Sequence, residues 1–474
     1  MRSAKPARPL LVWGAIVLFF GYQVAGALAA SNGPFLDEGI YITAGIRTLQ
    51  GHGIADGYLG WFAGSLIWPA IAGVGWFAGG LAGAKIAAGL LVTAGLTAAT
   101  RATRNLYGPR AAGWGFAVCA AGAPVLALGH LAVYDVVAVA GLGMALLAIT
   151  ELSRTGHRGW LLAAAVSFAA AVLGKYAAAF LAPVLIGLLV ALRGRRARVD
   201  LTLMAVVLGA ILLGFFLPWR YQLAWFVQWR AHNNPAFGVT RTMIAFEQVS
   251  YTVVFVVLAV IGVVAARGSR RVAVVLTAGL FIFPAYHLFI GNSVSAIKHM
   301  VFGIVLAMPV IGRGLAAVAG QARWRRCVTA LAVLGYLANG LHQVQRLDHG
   351  WVDARPGALY LAGHMRPDDS LLVPNAWQVL PYLYGKTVSD PNAVTDAYDL
   401  LNVRQPVDLC RVDWIVNTIN DNSWPAEVMD QVTACGTFVE VFRSESTMTN
   451  LGGDYRYVSY EGAFVIYENT GTAR

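Results

Sequence analysis

Asp37 and Glu38 stand side by side in a chain of 474 residues that is 58% hydrophobic and holds only 24 Asp and Glu. Asp135 and the pair Lys298-His299 bring a further carboxylate and two nitrogen bases to other polar breaks. Such groups suit the transfer of a sugar held on a lipid phosphate to a hydroxyl. A carboxylate takes the hydroxyl's proton as the new bond forms. Fixed cations stabilise the charge gathering on the departing phosphate. The phosphate is already a good leaving group, so no general acid is essential, and one base with direct displacement inverts the anomeric centre. The two-carboxylate scheme of glycoside hydrolysis applies only in part, because phosphate replaces its acid.

These residues must be positioned by membrane helices. Mean hydropathy is +0.61, and apolar stretches of spanning or near-spanning length recur along the chain, which describes an α-helical polytopic membrane protein. The net charge of +11 would suit nucleic acid, but the arginines fall in short gaps between apolar runs, the positive-inside pattern. Nucleic-acid binding is excluded on that ground. The basic start MRSAKPAR precedes the apolar stretch 10–30, read as a first span whose far end is outside. A signal peptide cut near Ala27-Leu28-Ala29 is the alternative.

The basic gaps are Arg101/Arg104/Arg110, Arg154/Arg158, Arg193 to Arg198, Arg267/Arg270/Arg271 and Arg323/Arg325/Arg326. If all are cytoplasmic, an even number of spans separates each consecutive pair. Hairpins are expected to turn near residues 130–135, at Gly174-Lys175, in a long polar and aromatic loop over 219–250, and over 291–298. Before Arg101 parity allows one crossing, assigned to 81–99. Residues 61–80 then lie along or dip into the outer interface, so the first outer loop covers 31–80. A short last span, 328–340, brings the count to about eleven transmembrane helices. Residues 1–340 form the transmembrane catalytic domain. Residues 341–474 turn polar and form a small extracytoplasmic α/β domain, with strands expected at 370–373, 414–417, 437–442 and 463–467. Cys410 and Cys435 share that region and pair there if it is extracytoplasmic, or remain two free thiols. Cys119 and Cys327 stand apart, and no metal-ligand spacing is present.

On this topology one face collects Asp37, Glu38, His52, Asp56, Tyr134-Asp135, Lys175, Arg220, Arg230, His232, Arg241 and Lys298-His299. Each also has a structural reading. Asp37 and Asp135 suit helix N-caps, and Glu38 caps or shares a metal or acceptor contact. Lys85, Lys175, Arg220 and Lys298 suit side chains snorkelling to headgroups. His52, His232 and His299 read as loop histidines rather than ligands. Trp219, Trp225 and Trp229 read first as an interfacial aromatic belt.

The stretch FLDEGIYITAGIRTLQGHG resembles the first outer loop of the GT-C glycosyltransferases. The nearest branch is that of the protein O-mannosyltransferases and the lipid A aminoarabinose or galacturonic acid transferases. The resemblance implies a polyprenyl-phosphate sugar donor, Asp37 as catalytic base and juxtamembrane helices after it. It also implies a second acid in the next outer loop, met by Asp135 in HLAVYDVV, which supports the base or contacts acceptor or metal. SAIKHMVFGIVLAMP is similar to the family's basic-then-Pro entry to a late helix and puts Lys298 near the lipid phosphate. LGWFAGSLIWPAIAG replaces the aromatic, proline-rich segment usual after the first loop.

The expected protein is thus a membrane glycosyltransferase of the bacterial inner membrane, with its active site and C-terminal domain on the extracytoplasmic face. Its catalytic residues are Asp37, Asp135 and Glu38, with Lys298, Lys85, Arg220, Lys175, Tyr134 and His299 binding substrate. Its acceptor is an envelope glycolipid, a polysaccharide or a protein. The sequence identifies no cofactor with certainty and leaves a divalent cation open. The rival is a transporter or flippase of a lipid-linked substrate, which would carry mid-membrane charges and repeat symmetry. The sequence shows neither.

Overall fold

The computed structural model describes residues 9–30, 32–53, 64–232, 240–293, 295–385, 387–388, 394–396, 408–419, 424–451 and 457–471. The chain divides into two compact units. The first comprises Met1–Ala27, Leu59–Ile71 and Lys85–Val344, and the second Leu28–Tyr58, Ala72–Ala84 and Gln345–Arg474.

The first unit is a helical bundle. Its elements are α1 (Pro9–Ala29), most of a long helical run α3 (Ile67–Ala120), α4 (Ala123–His130), α5 (Asp135–Thr155) and α6 (Gly159–Gly174). They continue with α7 (Ala182–Arg193), α8 (Ala197–Phe216), α9 (Arg220–His232), α10 (Arg241–Ala265), α11 (Arg270–Ile290), α12 (Ala296–Ala319) and α13 (Arg323–Asp348). Eight helical runs among the described residues are long and apolar enough to cross a membrane, with α6 a shorter apolar one. The run α3 is not straight. At Gly108 φ is +84°, and Gln23 of α1 lies against both Gly89 and Gly129, so the chain returns to the same level after that turn. Arginines sit at tight turns: Gly108, Gly156, Gly194 and Gly320 all have positive φ, which glycine adopts without strain.

Two expectations are corrected. The stretch 219–250 is not mainly loop, because α9 begins at Arg220 and α10 already at Arg241. Thr240 caps α10 by accepting the Met243 N–H at 3.2 Å. The last helix is longer than 328–340, running over Arg323–Asp348, since arginines at its start tolerate a helical backbone that a hydropathy reading trims away.

The second unit holds α2 (Leu36–Leu49), a mixed sheet and α14 (Arg355–His364), α15 (Ala376–Leu383) and α16 (Ala426–Ala434). The strands are β1 (Leu371–Val373), β2 (Val394–Asp396), β3 (Trp414–Ile419), β4 (Phe438–Leu451) and β5 (Tyr457–Asn469), in the order β2-β1-β3-β5-β4. Strand alternation sorts the core. Leu371, Val373, Trp414 and Val416 join Leu361 and Leu380 on one face. Leu372 and Ile415 join Val428 and Val432 on the other. Cys410 and Cys435 are disulfide-bonded, with Cα atoms 5.5 Å apart.

A segment from near the N-terminus is built into this unit. Gly33 N–H donates to Asp353 Oδ1 at 2.7 Å and Asn32 Nδ2 to the Trp351 carbonyl at 3.1 Å. Trp351 Nε1 returns a bond to the Gly33 carbonyl at 3.2 Å. Helix α2 then lies so close to α15 that a Cβ on Gly39 would overlap the Trp377 carbonyl. Near Gly80, where φ is +60°, the chain doubles back and sets Gly75 against Gly83 and Ala84.

Gly39→Ala is therefore expected to cost on the order of 1–3 kcal/mol. Thermal unfolding should show it against Gly79→Ala, whose added methyl meets nothing within 4 Å. A second expectation concerns pH. Burial pushes the Asp353 carboxyl above its usual range, partly offset by the N–H groups of Arg355 and Gly33 and the Arg355 charge. A carboxyl raised by folding favours its protonated form, so its contribution is complete below the unfolded value and is lost as pH rises through the raised one. Asp353→Asn keeps an accepting oxygen without the charge. Its unfolding midpoint should fall less over that window than the wild type's, and parallel curves would refute this reading.

Candidate active site

The chemistry-bearing side chains of the first unit meet where α5, α6 and α12 have their ends. Small residues allow that meeting. A Cβ on Gly141 of α5 would be 2.5 Å from the Ser167 carbonyl oxygen, and one on Gly174 would be 2.7 Å from Val137 Cβ. Helices without side chains at these points approach closely. The helices are antiparallel, so the start of α5 and the end of α6 coincide, and so do Asp135 and Lys175. Two bonds hold the start of α3 and the residues before it to the same corner: Ser65 N–H donates to the Leu173 carbonyl at 2.6 Å, and Trp68 Nε1 to the Ala132 carbonyl at 3.0 Å.

Asp135 is completely buried. Lys175 Nζ and His299 Nε2 each lie 3.8 Å from its Oδ1. Lys175 donates to the Tyr134 hydroxyl at 2.8 Å and sits 4.2 Å from the centre of that ring. His299 Nδ1 lies 3.0 Å from His287 Nε2, and His287 Nδ1 lies 2.7 Å from the Asn292 carbonyl. A carbonyl only accepts, so His287 carries its proton on Nδ1, and when neutral it accepts from His299 Nδ1. His287 thereby fixes the face that His299 turns to Asp135.

The other buried carboxylates of this unit differ. Glu151 accepts from Arg154 at 2.7 Å and from Arg101 at 3.4 Å. Asp200 accepts from Arg193 at 2.8 Å. Neither oxygen of Asp135 accepts a hydrogen bond among the described residues. A buried carboxylate held only by looser ion pairs is costly as a structural element, and the cost marks a place where a ligand's polar groups belong.

In the second unit the acidic pair opens α2. Phe35 is the N-cap, which puts Asp37 second and Glu38 third in the helix. Glu38 is buried and its Oε2 accepts the Phe35 N–H at 2.8 Å, the carboxylate half of a capping box. Asp37 is half-buried.

Lys298 adjoins His299 at the start of α12. Lys298 and Lys85 are buried, so headgroup snorkelling does not describe them. Arg220 is exposed and bonds the Leu217 carbonyl at 3.1 Å and the Tyr221 hydroxyl at 3.2 Å, within its own turn. Asp56 and the side chains of Trp229, Arg230 and His232 lie outside the described residues. His287 carried no sequence signal: it sits in an apolar helix, and only the fold brings it to His299.

No protein-family model and no curated protein matches the sequence. Solved structures do. ArnT from Cupriavidus metallidurans in the apo state is 15% identical with a TM-score of 0.60, the match covering 96% of this chain and 98% of that one. The mycobacterial arabinofuranosyltransferase AftD is 16% identical with a TM-score of 0.55, over 99% of this chain but 40% of that one. The archaeal oligosaccharyltransferase AglB from Archaeoglobus fulgidus, in complex with an inhibitory peptide and a dolichol-phosphate, is 10% identical with a TM-score of 0.53, over 95% and 74%. The chain shares its fold with these solved structures.

Proposed function

We propose that this chain is an integral membrane glycosyltransferase that moves one sugar from a polyprenyl-phosphate donor to a hydroxyl of an envelope glycolipid, polysaccharide or protein. The observation that carries the reading is Asp135, buried without a hydrogen bond among the described residues beside Lys175 and His299, in a chain of GT-C fold. In the proposed step the acceptor oxygen attacks the anomeric carbon from the face opposite the phosphate. Its proton passes to the Asp37 carboxylate. The bond from carbon to phosphate oxygen breaks, and its electron pair leaves with the lipid phosphate, so the anomeric centre inverts. Lys175, with His299 and Lys298, supplies positive charge for the phosphate. Asp135 holds Lys175 and His299 in place until phosphate arrives. Glu38 acts by fixing the start of α2.

The extracytoplasmic face is supported within the first unit. Asp135 opens α5, which ends at the Arg154 turn, and Lys175 follows α6, which begins after Arg158. The cluster is therefore at the helix ends opposite those arginines, which the positive-inside rule keeps in the cytoplasm. The disulfide between Cys410 and Cys435 supports an oxidising compartment for the C-terminal domain.

Deleting the protein from its source cell should remove a sugar-sized mass increment from an envelope lipid, glycan or protein, and wild type should restore it. Asp37→Asn, expressed to the same level, should transfer roughly 10²–10⁴-fold more slowly. Undiminished transfer by that variant would sink the base assignment, and an unaltered envelope would sink the transferase reading. Lys175→Gln should slow transfer by about 10²–10³-fold with Lys175→Arg retaining part of the rate. Equal loss in both would show that shape rather than charge matters there.

A further inference from the structure

The other end of the first unit holds a cavity of about 770 Å³ that no step of the proposed reaction uses. It lies between the turn at Gly108, the end of α10 with the following Arg267–Ser269 turn, and the last part of α12. Two guanidinium groups, Arg313 and Arg267, line it together with Tyr107 and Ser269.

Arg313 is the informative residue. It stands six residues before the end of Ala296–Ala319, about 9 Å along a helix at 1.5 Å per residue. It is half-buried, with buried Gly312 and Gly314 on either side. A cation inside a spanning helix is expensive and faces a partner or a polar cavity. One of its N–H groups donates to the Ala265 carbonyl at 2.9 Å. Among the described residues no carboxylate lies within ion-pair distance of Arg313 or Arg267. The Tyr107 hydroxyl borders Ser269 and feels the Arg313 charge. The lining therefore carries a surplus of positive charge and hydroxyl groups.

Part of the lining is apolar. Leu106 and Val264 line it as well, and Val264 is 67% exposed on α10, as a lipid-facing side chain would be. A ligand that satisfies both parts has a phosphate and an apolar body. We propose that this cavity binds the headgroup of an anionic membrane phospholipid. Arg313 and Arg267 take the phosphodiester oxygens, and the Tyr107 and Ser269 hydroxyls face the glycerol and ester oxygens. The site is independent of the sugar-transfer reading, because none of its residues belongs to the Asp135 cluster.

The test uses the full-length protein in a neutral detergent, with thermal unfolding and native mass spectrometry as readouts. Phosphatidylglycerol should raise the unfolding midpoint and persist as a bound adduct, while phosphatidylcholine at the same concentration should do neither. Arg313→Gln and Arg267→Gln should each weaken phosphatidylglycerol binding by about tenfold or more. Arg313→Gln also removes the bond to Ala265, so the exposed Arg267→Gln carries the test alone if the first variant does not fold. Inorganic phosphate matching the lipid's stabilisation would overturn the lipid assignment in favour of a soluble phosphate. Equal binding of the two lipids, or phosphatidylglycerol binding unchanged in Arg267→Gln, would overturn the site itself.

Discussion

Inside a bilayer apolar side chains have no reason to prefer each other over lipid, so two helices stay together through contact distance and polar bonds. The pairing of α5 with α6 is of that kind, with Gly141 and Gly174 clearing space for backbone and Cβ atoms of the facing helix. The same approach determines where charge can exist. Asp135 opens one helix and Lys175 follows the other, and neither would find the other if the helices stood a side chain further apart.

The resulting ion pair is balanced rather than strong. At 3.8 Å the attraction is of order 4 kcal/mol with an effective dielectric near 20, while removing each ion from water costs several kcal/mol. Terms of such similar size suit a group that must change partners. A phosphate offering two oxygens to Lys175 competes on nearly equal footing with one carboxylate at ion-pair distance. The pairs at the opposite helix ends, Arg154 with Glu151 and Arg193 with Asp200, are hydrogen-bonded at 2.7 and 2.8 Å and have no such latitude.

Much of this architecture could be read from the chain. Arginine spacing located turns that the fold confirms as tight, because charge and glycine share the ends of apolar helices. The strand expectations at 370–373, 414–417 and 463–467 overlap β1, β3 and β5 since period-two alternation survives in short strands. Val394–Asp396 was invisible, being three residues without a pattern. Tyr134, Lys175 and His299 were named from position, and Asp135 from position and resemblance, yet which cations adjoin Asp135 depends on helix contact. Lys175 is seated there by the close approach of the helices at Gly174, and His287 enters because α11 and α12 fold back on each other at Gly291, where φ is +66°. Glu38 and Asp37 were alike on paper. The helix start distinguished them by using one as a cap.

The bond from Gly33 to Asp353 spans 320 residues of chain. A ribosome adding about 5–20 residues per second needs roughly 16–64 seconds to bridge that interval. Throughout that time the acidic helix start exists without the Trp351–Arg355 segment that receives it. The segment carrying Asp37 thus finds its final setting only after every membrane helix of the bundle has been synthesised. Assembly order alone withholds the proposed base until the bundle is complete.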